Sequence, residues 1–447
     1  MVQWLPMTRP AESLLAILLS FAASQSAPLP RGQKWIATWV ASIHGPYPSG
    51  NPVAQPALEK VFVTPERGAT DQTFRLIVRP SLWGPQARLR FSNTFGIQPV
   101  TLDDVFAGLQ GSGGNVAKGT NRRVTFNGKS AITLTPGQSS VSDPVALSFV
   151  TPALLARLEG RKLAVSVHVM GSSGPMTWHA KALQSSYVSA PGAGRHGADE
   201  SDTAFPFTTT SWYFLDAVDV QAPDNTEVIA CLGDSITDGT GSTLNGDDRW
   251  PDVFSRRLRA AHGSRFAVVN AGIGGNRITG PSPYDPKSPF AGGPSALDRL
   301  ERDVLSISGL STIIWLEGIN DLSSGATADT VIAGIREGVR RIRAHGGIRV
   351  LMGTITSALG STAAAGTPDV DARRQAVNAF VRSSDLFDGV IDFDAATRDP
   401  RTGGLRAEFQ PNSSIGGPGD GLHPNRAGYL AMGNAVNLDL VTARRRQ

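Results

Sequence analysis

The hydrophobic rhythm of this 447-residue chain changes once, near Thr226, and that change constrains the fold more than any single residue does. Before it, from about Trp35 to Val220, short alternating or β-branched runs recur at 60–63, 74–78, 88–91 and 163–169. Alternation with a period of two is what a half-buried strand requires, because successive side chains point to opposite faces. Asn127-Gly128, between Val124-Thr125-Phe126 and the run 131–134, predicts a hairpin, since both residues tolerate the positive φ of a tight turn. Only 151–158 offers a short helical piece. An all-β sandwich of jelly-roll type is therefore expected over residues 35–220.

After Thr226 the pattern becomes strand, helix, strand. Buried strands are expected at 228–232, 266–269, 312–316, 350–355 and 390–393. Between them Trp250, Val253, Phe254 and Leu258 share a helical face, as do Leu297, Leu300, Val304 and Leu305, and Val331, Ile335, Val339 and Ile342. Five such strands joined by crossover helices make a three-layer α/β/α domain with a parallel five-stranded sheet, expected over 226–442. Gln221-Ala222-Pro223-Asp224-Asn225 reads as the linker, and 447 residues is long for a single core.

Composition narrows the function classes. A net charge of +4 on this length is mild, and Arg444-Arg445-Arg446 reads as a solvated tail, so no nucleic-acid partner is expected. The single cysteine, Cys231, sits within an apolar run; it excludes an internal disulfide and a cysteine metal cluster. Near the start, Arg9 precedes an apolar stretch at 14–23, then come Ser24, Ser26, Pro28 and Pro30. That is the layout of a secretory signal over residues 1–26, too short to span a membrane comfortably. A secreted or periplasmic protein without stable membrane insertion is expected; oligomeric state is left open.

Chemistry gathers at the ends of the predicted parallel strands. Gly233-Asp234-Ser235 ends the first and places a hydroxyl where such sheets bind ligands. Asn270-Ala271-Gly272-Ile273-Gly274-Gly275-Asn276 follows the second; it is either a simple strand-ending turn or a place where backbone N–H groups approach a ligand oxygen. Glu317-Gly318-Ile319-Asn320-Asp321 follows the third, with Asn320 either a cap or an oxyanion donor. Asp420-Gly421-Leu422-His423-Pro424 precedes a last apolar-periodic segment at 429–440, with Pro424 suited to its first turn. A serine needs a base to become a nucleophile, and an imidazole base needs a partner on its other nitrogen. Asp420, three residues before His423, can fold back to supply it. By composition, the joint occurrence of the G-D-S, G-x-N-D and D-x-x-H-P motifs has a chance on the order of one in a thousand.

In these four blocks, and in their order, the chain resembles the SGNH or GDSL-type hydrolases over residues 226–442. The resemblance implies Ser235 as nucleophile, Asp420 and His423 as acid and base, and an oxyanion hole from Ser235, Gly275 and Asn320. It also implies hydrolysis of carboxylic esters with no metal and no cofactor. The first half is similar to the β-rich domain of one bacterial branch, through Trp35-Ile36-Ala37-Thr38-Trp39, Trp178-His179 and Ser211-Trp212-Tyr213-Phe214. The substrate is expected to be a small ester of a short acyl group, cleaved through an acyl-enzyme. The loops support a shallow, open site: 277–294 carries five prolines, with Tyr284 and Phe290 its only aromatics, 357–367 is nearly all small residues, and 403–420 is glycine-rich. The alternative is a carbohydrate O-acetylesterase acting on an acetylated glycan, with Trp83 and Trp178 either exposed aromatic platforms or core residues. A binding protein with a relict catalytic domain conflicts with the complete residue set.

Overall fold

A computed structural model describes residues 29–47, 58–64 and 67–443. The expected leader, 1–26, and the basic tail Arg444-Arg445-Arg446 lie outside the described residues.

Besides a two-stranded sheet, Trp178–His179 with Trp212–Tyr213, the first half builds two larger antiparallel sheets. One runs Gln33–Val40, Leu215–Pro223, Gln86–Ser92, Ser139–Val141, with Val145–Ala146 also on Gln86–Ser92. The other runs Phe207–Thr209, Ser186–Val188, Thr70–Val78, Leu163–Ser172, Val100–Leu109, Arg122–Arg123, with Ala131–Leu134 also on Val100–Leu109. Ile36, Leu89 and Val220 of one sheet and Phe74, Leu102 and Val167 of the other belong to one buried cluster. The runs 74–78, 88–91 and 163–169 are strands as expected, and Leu155–Leu158 is the short helix.

Two expectations fail here for physical reasons. Residues 60–63 form no strand; a 3-10 turn over Leu58–Lys60 instead drops Val61 and Phe62 into the core, where Phe62 stacks on Phe74 at 5.9 Å. Burial alone explains that apolar run. Asn127 and Gly128 do take positive φ (51° and 75°), and Phe126 and Lys129 exchange backbone hydrogen bonds of 2.8 and 3.0 Å. The hairpin stops there, because Ala131–Leu134 pairs with Val100–Asp103 instead. The Asp143 carboxylate holds the turn through the N–H groups of Asn127 and Gly128, at 3.0 and 2.8 Å.

The second half contains a fully parallel sheet of Glu227–Gly233, Phe266–Gly272, Leu310–Leu316, Arg349–Gly353 and Gly389–Ile391, ordered second, first, third, fourth, fifth. The order reverses at the first strand, so ligands are directed to its carboxyl end and those of its neighbours. The expected helical faces are buried in Trp250–His262, in Ala296–Leu300 continued by a π turn to Leu305, and in Ala328–His345, which stops at Gly346. The fifth strand is shorter than expected, since Asp392 caps a helix over Phe393–Thr397. One crossover helix, Pro368–Ser383, escaped the periodicity because its inner face buries Asp371, Arg374 and Asn378. The last segment is two helices, Arg426–Ala435 and Leu438–Thr442. Pro424 lies outside the first of them: Asn425 is its cap, accepting from the N–H groups of Ala427 and Gly428.

The expected linker is largely strand, with Pro223 paired to Gln33. The two halves share one continuous core. They are also joined by hydrogen bonds such as Ala37 N–H to the Ser308 carbonyl (2.9 Å) and by Ser308 Oγ to Asp219 (2.8 Å).

Candidate active site

The first parallel strand ends where a side chain will not fit. A Cβ on Gly233 would lie 2.3 Å from the Leu316 carbonyl oxygen and 2.3 Å from Thr237 Oγ1, so only glycine lets this strand end against the third. Asp234 then caps a four-residue helix, Ser235–Asp238, accepting from Ile236 N–H at 2.9 Å. Ser235 is thereby fixed at the first helical position, 4% exposed.

Across from it, Ser235 Oγ is 2.8 Å from His423 Nε2, and His423 Nδ1 is 2.6 Å from Asp420 Oδ2. The other Asp420 oxygen accepts the N–H groups of Leu422 and His423, each at 2.9 Å. Partial burial raises the Asp420 carboxyl, but the hydrogen bond and charge of His423 and those two N–H groups outweigh it and hold the acid well below the usual range. The loop is held to the nucleophile turn by buried Tyr429, whose hydroxyl donates to the Thr240 carbonyl at 2.6 Å.

Gly275 and Asn320 line one pocket of about 260 Å³, together with His44, Lys181, Asp238 and Arg277. Gly275 has φ +83°, a left-handed conformation natural to glycine. Among the described residues neither the Ser235 nor the Gly275 N–H donates a hydrogen bond within the protein. The Asn320 amide donates to the Asn276 carbonyl at 2.9 Å, and an amide has a second hydrogen to give. Asp238 links this pocket to the serine: it closes the Ser235 helix and accepts from Gly274 N–H at 2.9 Å. Ser235, His423 and Asp420 are thus in direct contact, while Gly275 and Asn320 form the adjoining pocket wall.

Several residues that shape this site were not singled out by sequence. Asn276 Nδ2 donates to the Gly292 and Pro294 carbonyls, both at 2.6 Å, and its Oδ1 accepts from Arg299 at 2.7 Å. Arg299, fully buried, also donates to the carbonyls of Gly233 (3.0 Å) and Ala271 (2.8 Å) and to Ser42 Oγ (3.0 Å), gathering two strand ends and the first half at one point. Asp321, beside Asn320, accepts from the N–H groups of Ile278 (2.9 Å) and Thr279 (3.1 Å). Around Arg299, burial pushes Glu317 up to about 8 and Asp234 up to about 7.

The first half reaches the site directly. His179, expected in a packing or loop role, faces Asp238 Oδ1 at 3.0 Å and the Ser42 carbonyl at 2.8 Å, so both ring nitrogens have acceptors. Burial raises Asp238, but His179, with the charges of Arg249 and Lys181, outweighs it and lowers the carboxyl. Arg249 donates to the Ala182 carbonyl, and Tyr284 to that of Gly45. Tyr284 also packs on Phe95 at 5.3 Å, so the proline-rich loop 277–294 is docked on the first half. Of the two candidate aromatic platforms, Trp178 is core and Trp83 is partly buried. Trp178 is 0% exposed among Tyr47 and Tyr213; Trp83 packs on Phe149 and donates to the Leu158 carbonyl. Cys231 is buried, and burial pushes its thiol up. Among the described residues no helix is long and apolar enough to cross a membrane.

Comparison with curated proteins finds no match. Residues 231–431 match the model of the GDSL-like Lipase/Acylhydrolase family. Similar solved structures include a carbohydrate acetylesterase family member from Sinorhizobium meliloti, 23% identical, TM-score 0.36, covering 47% of this chain and 95% of that one. An aryl esterase of M. smegmatis is 18% identical, TM-score 0.36, covering 47% and 96%. A GDSL-like lipase from Bacteroides thetaiotaomicron is 15% identical, TM-score 0.34, covering 46% and 84%. Ser235 and His423 lie within the matched segment, so residues 231–431 are a GDSL-like lipase/acylhydrolase domain and the chain is an ester hydrolase.

Proposed function

We propose that the chain hydrolyses carboxylic esters of short acyl groups through an acyl-enzyme on Ser235. The observation that carries this reading is the unbroken hydrogen-bonded series Ser235 Oγ, His423 and Asp420, at 2.8 and 2.6 Å. In this reading His423 Nε2 takes the Ser235 proton as Oγ attacks the ester carbonyl carbon. Asp420 holds the ring in the tautomer that leaves Nε2 free and stabilises the imidazolium. The N–H groups of Ser235 and Gly275 and the Asn320 amide donate to the oxyanion. His423 then protonates the departing alcohol and activates water against the serine ester.

A pocket of about 260 Å³ beside Gly275 and Asn320 favours an acetyl to butyryl group over a long chain. The carbohydrate O-acetylesterase reading loses its aromatic support, because Trp178 is buried and Trp83 is engaged with Phe149. Export of the protein is proposed from the composition of residues 1–26 alone, and N-terminal sequencing of secreted material tests it. For the activity, wild type and Ser235→Ala are compared on p-nitrophenyl esters from acetate to palmitate, with acetylated xylan and pectin alongside. Ser235-dependent cleavage concentrated on acetate to butyrate supports the reading; acetate release from glycans with poor aryl-ester turnover transfers it to the alternative.

A further inference from the structure

The pocket beside Gly275 and Asn320 contains more positive charge than the proposed ester chemistry needs. Lys181 comes from the first half of the chain and Arg277 from the loop after the second parallel strand, and both line it. Among the described residues, neither side chain makes a hydrogen bond or ion pair with the protein. The fully buried arginines behave differently: Arg299 is bonded to four acceptors, and Arg374 pairs with Asp371 and Asp394. Unused cations inside a fold are costly unless something else satisfies them.

The surroundings hold these two groups in place without a direct ion pair: burial pushes the Lys181 ammonium down, while the charges of Asp238, Asp420 and Asp234 act against that. Arg277 lies over the Phe290 ring at 4.8 Å, and its Nε is buried with no partner. Gly274 makes room for Lys181: a Cβ there would meet Lys181 Cδ at 2.7 Å and Nζ at 2.8 Å. The one acid of the pocket, Asp238, is engaged by His179 and Gly274 N–H. His44 adds a neutral donor. Its Nε2 accepts from Ala180 N–H at 3.4 Å, which leaves the proton on Nδ1, buried and without a partner.

We propose that Lys181 and Arg277 form an anion subsite that binds a carboxylate carried by the ester substrate. A guanidinium presents a planar fork to a carboxylate and an ammonium adds a point charge, so the pair suits one carboxylate group. This rests on the hydrolase reading above and assigns the first half a part in choosing the substrate. The carboxylate can sit on the acyl group or on the alcohol.

Two matched pairs of esters separate those sources. On the acyl side, p-nitrophenyl hydrogen adipate is compared with p-nitrophenyl hexanoate; on the alcohol side, para-acetoxybenzoate with para-acetoxybenzamide. The quantity read is the ratio of kcat/KM, charged over neutral, within each variant, so a general loss of activity or fold does not move it. Wild type is expected to favour the charged ester by about tenfold or more in one arm, with the preference shrinking as salt is added. Lys181→Met and Arg277→Met should each lower that ratio roughly tenfold, and Lys181→Arg should retain most of it. Ratios near one in both arms, or ratios unaltered in both methionine variants, overturn the subsite. If the neutral esters are also not cleaved in a Ser235-dependent way, the hydrolase reading falls with it; if they are, only the subsite falls.

Discussion

Replacing Asp420 by asparagine should harm the enzyme more than replacing it by alanine, although asparagine is the closer match in shape. Asp420 serves two sides: one oxygen accepts His423 Nδ1–H at 2.6 Å, the other accepts two backbone N–H groups at 2.9 Å. An amide has one acceptor and one donor end, so it must set its NH2 against one side. Facing the backbone would forfeit two hydrogen bonds, about 2 kcal/mol in all. Facing His423 costs less, because the ring can move its proton to Nε2 and accept at Nδ1. Two kcal/mol is roughly a thirtyfold preference, so the ring is held almost wholly in the tautomer that cannot take the Ser235 proton. A triad carboxylate replaced by its amide loses about 10⁴-fold in turnover for this reason. Alanine imposes no tautomer, and at 42% side-chain exposure water can reach the vacated position. We therefore expect Asp420→Asn to lose about 10⁴ in kcat on p-nitrophenyl acetate and Asp420→Ala roughly tenfold less. Thermal unfolding of both variants controls for folding. Equal activities, or a more active asparagine variant, would refute the bonding argument.

Asn320→Ala should lower kcat by about 10²- to 10³-fold with little change in KM, since its amide acts on charge that develops only in the transition state; a loss confined to KM would speak against that role. Arg299→Met strands four acceptors in the interior, while Asp303 keeps Arg302, and should cost about 3–5 kcal/mol in chemical unfolding. A cost under about 1 kcal/mol would mean that the strand ends do not depend on it. Glu317 has a folded value of about 8, above the ordinary value of 4.5. Its contribution to stability is complete below the ordinary value and is lost as pH rises through about 8. Wild type should therefore lose more Tm than Glu317→Gln between about pH 6 and about pH 9, and equal losses would contradict the assignment.

What the sequence made legible follows from how local each signal is. Ser235, Gly275 and Asn320 each follow a β-rich apolar run directly, so naming the strand names the position of the residue at its carboxyl end. Asp420 and His423 lie on one tight loop, where a spacing of three is enough for contact. Arg299 was hidden because its partners, Ser42, Gly233, Ala271 and Asn276, meet only once both halves have folded. Lys181 and His44 were hidden likewise, since their nearness to Gly274 and Gly293 depends on how the sheets pack. Helix Pro368–Ser383 lacked an apolar stripe because a buried Arg374–Asp371–Asp394 cluster occupies part of the inner face. Trp178 misled in the opposite sense: tryptophan suits an aromatic platform and a core equally, and only its neighbours decide.

The central claim is a covalent ester on Ser235. Rapid-quench mass spectrometry after mixing with p-nitrophenyl acetate tests it most directly. The account predicts an acetyl group on the peptide containing Ser235, formed at least as fast as steady-state turnover and absent from Ser235→Ala, which should be inactive. Turnover by Ser235→Ala at near wild-type rate, or an acetyl group carried only elsewhere, would contradict it.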